Sequence, residues 1–70
     1  MRPKTSLFEQ QKAIERLIVS ARLSFPETFS VVLARHIKLE MSRYHDKFSI
    51  GWDVFTLRDM IEDYDTNGWN

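Results

Sequence analysis

Ten basic and ten acidic side chains cancel in a chain of 70 residues that is 43% hydrophobic and contains no cysteine. That length holds one small core and excludes a second domain, and the mixture of apolar and charged residues is that of a folded, soluble chain. A disulfide framework, a thiolate zinc site and a cysteine nucleophile are excluded, and so is a membrane-spanning helix. The longest apolar run, Val31 to Ala34, is far below the roughly 20 residues a span requires.

Five Phe, two Trp and two Tyr, set against only two Gly and two Pro, favour helices over irregular loops. The spacing of the apolar residues predicts an all-α fold, a single three-helix domain with helices over about 6–23, 25–45 and 50–65 and residues 1–5 disordered. In the first segment Ser6 and Glu9 form a capping-box pattern, each side chain positioned to satisfy a backbone N–H at the helix start. Leu7, Ile14, Leu17, Ile18 and Ala21 then share one face, while Phe8, Val19 and Leu23 gather on the opposite one.

Ser24-Phe25-Pro26-Glu27 reads as the next helix start, with Ser24 as cap, Glu27 at the third position and Pro26 in the first turn, where its missing N–H costs nothing. One long helix kinked at Pro26 is the alternative. Phe29, Leu33, Ile37, Met41 and Tyr44 mark a wide apolar face. Val31, Val32 and Leu39 point elsewhere, which predicts a central helix, the least exposed of the three.

After His45-Asp46-Lys47-Phe48 breaks the pattern, Ser49 can cap a third helix with Ile50, Val54, Leu57, Ile61 and Tyr64 inward. The alternation of Phe48, Ile50, Trp52 and Val54 leaves a short strand near 48–54 open, with a later helix start at Thr56. Asn67-Gly68 supplies a helix stop, after which Trp69 either folds back on the last turn or reaches a partner.

Charge is unevenly divided, about +4 over residues 1–47 and about −4 over residues 48–70, which offers an acidic surface to a basic partner. Asp63-Tyr64-Asp65-Thr66-Asn67-Gly68 resembles the first half of an EF-hand calcium loop, but the chain ends before the bidentate Glu such a loop needs, and the plainer reading is a helix stop. His36 and His45, nine residues apart, do not have the spacing of a helical ligand pair. No nucleophile–base arrangement or glycine-rich phosphate loop is evident, so the chain reads as non-catalytic, with no cofactor and no metal.

These features predict a protein–protein interaction module, a small accessory or regulatory protein of the size common among bacterial and bacteriophage chains, that binds a larger, unidentified protein partner. The expected contact is the acidic face of helix three, Asp59, Glu62 and Asp63, with Trp52 and Trp69 as aromatic anchors. Residues left apolar outside the core, Phe8, Val19, Leu23, Val31, Val32 and Leu39, predict a homodimer interface, because a core this small gains little stability alone. The alternative is a helix-turn-helix DNA-binding protein with Arg35, Lys38 and Arg43 on phosphates and Thr28 and Ser30 near base edges. The basic start Met1-Arg2-Pro3-Lys4 runs into an amphipathic segment rather than an apolar leader, so a cytoplasmic chain without membrane contact is expected.

Overall fold

The structure, a computed structural model, describes residues 6–43 and 52–69. Three helices account for most of them: α1 (Leu7–Ser24), α2 (Ser30–Ser42) and α3 (Val54–Asn67), with no strand among the described residues. The all-α, three-helix expectation holds. Tyr44, His45, Phe48, Ser49 and Ile50, which carried part of the reading of the second and third segments, lie outside the described residues, as do residues 1–5.

α1 begins as its sequence indicates. Ser6 Oγ accepts the Glu9 N–H at 3.2 Å, and Glu9 Oε1 accepts the Ser6 N–H at 3.1 Å, so two backbone donors at the helix start find partners within one turn.

The start of α2 corrects the sequence reading, and the kinked single helix is corrected with it. Ser24 is the last residue of α1 rather than the cap of α2, and Pro26 and Glu27 lie in a five-residue connection, 25–29. A residue before proline is pushed out of the helical region, and Phe25 sits at φ −133° and ψ 70° accordingly. The turn that follows is closed by Thr28 N–H donating to the Phe25 carbonyl at 3.4 Å. Arg22 then donates to the Phe25 carbonyl at 2.9 Å and the Thr28 carbonyl at 2.7 Å. α2 starts after Phe29 with no side-chain cap, its first bond running from Leu33 N–H to the Phe29 carbonyl.

α3 is capped by Asp53 rather than by Ser49 or Thr56. Asp53 Oδ1 accepts the Thr56 N–H at 2.7 Å, which holds the carboxyl below its ordinary pKa because the ionised form is the better acceptor. The helix stops at Gly68, whose φ of 69° suits a residue without a side chain and whose N–H bonds the Tyr64 carbonyl at 2.8 Å.

The core is formed by Ile14, Ile18 and Ala21 of α1, Leu33, Ala34, Ile37 and Met41 of α2, and Leu57 and Ile61 of α3. α2 is the central element, touching both neighbours and packing more extensively on α3 than on α1. It is not buried all round, however: Leu39 is 68% exposed, on the side away from the core. Leu7 and Phe29, expected inward, are also exposed. Phe29 is the non-helical residue before α2, so the four-residue stride of that helix does not extend to it.

One polar side chain enters the core. Gln10 is 1% exposed and continues the row of Ile14 and Ile18 one turn toward the N-terminus. Its amide oxygen accepts the Trp52 indole N–H at 3.1 Å across 42 residues of sequence, an arrangement that gives a buried amide a partner. The Trp52 carbonyl in turn accepts Lys38 Nζ from α2, so the residue just before α3 is tied to both other helices.

Candidate protein-binding surface

On α3, Leu57 and Ile61 face the core, and the positions opposite them at helical spacing are Phe55, Asp59, Glu62 and Thr66. Phe55 is 66% exposed. The Arg58 guanidinium lies over its ring at 5.6 Å and reaches Asp59 at 3.1 Å, so one cation bridges the aromatic and the carboxylate on the outer surface. Asp59 remains 67% exposed.

The other two acidic residues of the expected contact are exposed but internally engaged. Glu62 accepts the Ser30 hydroxyl at 2.8 Å, tying α3 to the first turn of α2. Asp63 accepts the Trp69 indole N–H at 2.9 Å and the Asn67 side-chain amide at 2.7 Å, and these bonds hold its carboxyl below the usual range. Carboxylates near a helix C-terminus oppose the helix dipole. Each acid in the last turns of α3 is met by a donor that offsets this: the Ser30 hydroxyl for Glu62, Asn67 and Trp69 for Asp63, and the Arg22 guanidinium for Asp65.

The two tryptophans are half-buried supports of the fold. Trp52 packs against the core and bonds Gln10. Trp69 has folded back, its ring edge-on to Tyr64 at a centroid distance of 5.0 Å. The large exposed aromatic of this face is Phe55, next to Thr56, the later helix start that the sequence left open. The available signal was its position four residues before Asp59, in the same outward row. The segment resembling a calcium loop forms the last turns of α3, with Asp63 and Asp65 turned to the donors just named.

The cations of the DNA-binding alternative lie on or just past α2. Arg35 and Lys38 are exposed, and Arg43 Nη1 approaches Glu40 at 3.6 Å. Lys38 is committed to the Trp52 carbonyl, Ser30 to Glu62, and the Thr28 carbonyl to Arg22. Beside them Phe25, Thr28, Val32, Leu33 and His36 line a shallow groove of about 240 Å³, with the Phe25 and His36 rings edge-on at 5.5 Å.

The residues expected at a dimer interface fall on two helices. Phe8, Val19 and Leu23 belong to the outer side of α1, Phe8 67% and Leu23 78% exposed, and Val31, Val32 and Leu39 belong to α2. Among the described residues no helix is long and apolar enough to cross a membrane, and no three His, Asp or Glu side chains converge as a ligand set. Comparison of the chain with protein-family models, with curated proteins and with solved structures finds no match.

Proposed function

We propose that the protein is a non-catalytic interaction module that binds a basic segment of a protein partner through the outer face of α3. The observation that carries this reading is Phe55, a large aromatic exposed in a row with Asp59 and Glu62. An apolar ring at the N-terminal end of the row, with carboxylates one and two turns beyond it, suits a helix or extended segment bearing an apolar residue followed by Lys or Arg, the ring supplying buried area and the acids selecting charge. Trp52 and Trp69 support the surface from behind rather than forming it, since their indole N–H groups are bonded within the chain.

The roles within the acidic set differ. Asp59 is free to meet a partner's cation once Arg58 is displaced, whereas Asp63 stabilises the end of the helix through Trp69. The test is capture of partners from nuclease-treated and untreated halves of a lysate with the wild-type chain and with Phe55→Ala and Asp59→Lys variants. A bound protein lost by at least tenfold with either variant, while the helical circular dichroism is unchanged, is the expected result. Retention of the same partner by both variants discards the α3 face. Binding that disappears with nuclease, falls steeply with salt and is abolished by Arg35→Glu moves the assignment to nucleic acid.

A further inference from the structure

We propose that a second copy of this chain docks on the outer face of α1, forming an antiparallel helix pair about a twofold axis beside Glu15 and Arg16. The face is read from positions opposite Ile14, Ile18 and Ala21, the buried row of α1. Along this side, in order, stand Phe8, Lys12, Glu15, Arg16, Val19 and Leu23, with Glu15 and Val19 partly buried at its edge and the other four exposed.

This order is complementary to itself when reversed. With the axis between Glu15 and Arg16, Phe8 of one copy meets Leu23 of the other, and Lys12 lays its aliphatic stem along Val19. Glu15 meets Arg16, and each pairing occurs twice, as a twofold contact requires. Phe8 and Leu23, 67% and 78% exposed, thus cover each other at two places about 22 Å apart along the helix at 1.5 Å per residue. The charges fall in the middle with opposite signs apposed.

Three further observations favour this face. Glu15 approaches Lys12 at 3.6 Å within its own chain, whereas Arg16 has no ion-pair partner among the described residues, so pairing across the axis gives the guanidinium the carboxylate it lacks. The outward cations of α2, Arg35, Lys38 and Arg43, and the outward acids of α3, Asp59, Glu62 and Asp63, would each set like charge against like if apposed to their own copy. Lys12, Glu15, Arg16 and Val19 of the row itself line, with Gly68 and Trp69, an open groove of about 780 Å³, in which Trp69 gives a neighbouring helix a wall on one side. Val31, Val32 and Leu39 lie on α2 and are not part of this contact. The proposal is independent of the α3 reading, whose residues are on another helix.

Light scattering at micromolar concentration tests it. The wild-type chain is expected at twice the monomer mass. Glu15→Arg and Arg16→Glu variants, each placing like charges around the axis, are expected at the monomer mass with helical circular dichroism intact, and an equimolar mixture of the two recovers the doubled mass. Because the chain has no cysteine, Phe8→Cys chains mixed with Leu23→Cys chains report orientation directly: they link to each other under oxidation and neither links to itself. A monomeric wild-type chain that unfolds cooperatively overturns the proposal. So do charge variants that remain dimeric, or self-linking of Phe8→Cys.

Discussion

Arg22 spends its guanidinium on three parts of the chain. Nε and Nη2 grip Asp65 of α3 at 3.0 and 2.6 Å in the two-pronged geometry that suits a planar guanidinium, and Nη1 holds the Phe25 and Thr28 carbonyls of the connection. Its side chain is 14% exposed, so these bonds are partly sheltered from water. The hydrogen bonds raise the Arg22 pKa above its ordinary value and hold the Asp65 carboxyl below the usual range. A carboxylate with a depressed folded pKa contributes stability that is present above its unfolded value, near 4, and is lost as pH falls through the folded value. Arg22→Ala is expected to lower the free energy of unfolding by about 2 kcal/mol at neutral pH, measured by urea denaturation. The gap to wild type should narrow as pH falls below about 4. Arg22→Lys should recover only part of the loss, since an ammonium cannot span the carboxylate and both carbonyls together.

Among the elements, α1 was legible because its causes are local: Ser6 and Glu9 cap it within one turn, and its inward row repeats at helical spacing. The start of α2 was not. Ser24, Pro26 and Glu27 satisfy a local capping rule, but the connection they occupy is held by Arg22, and no window around Pro26 reveals that its neighbours' carbonyls are bonded by a side chain that is also clamped to α3. The same limit hid Gln10, polar in composition yet buried by position and satisfied from 42 residues away. On α2 the division between inner and outer rows predicts unequal costs for two aliphatic truncations two residues apart. Ile37→Ala, at a fully buried site, should destabilise by about 2–5 kcal/mol. Leu39→Ala, on the exposed side, should stay within about 0.5 kcal/mol, as thermal or urea unfolding of the pair would show.

For the whole molecule, the division of charge between a basic first part and an acidic last part was readable from the sequence, and the structure sets Asp59 and Glu62 of α3 in an outward row with Phe55. What sequence could not supply was which acids have internal partners: Glu62 and Asp63 are bonded to Ser30 and Trp69 by tertiary placement and helix termination, and among the described residues Asp59 is bonded only to its neighbour Arg58. So small a core leaves little stability in reserve. If copies pair through α1, the melting temperature should rise with protein concentration, because association adds its binding free energy to folding; calorimetry across a dilution series that gives a constant value would remove dimerisation from the stability of this chain. The two tryptophans also divide the molecule optically. Trp52 donates to the Gln10 amide at the junction of the helix ends, while Trp69 rests edge-on against Tyr64 with its N–H on a carboxylate. With the other indole replaced by phenylalanine, the emission of each becomes a separate gauge, one of α1 lifting from the rest and the other of the last turn of α3 unwinding.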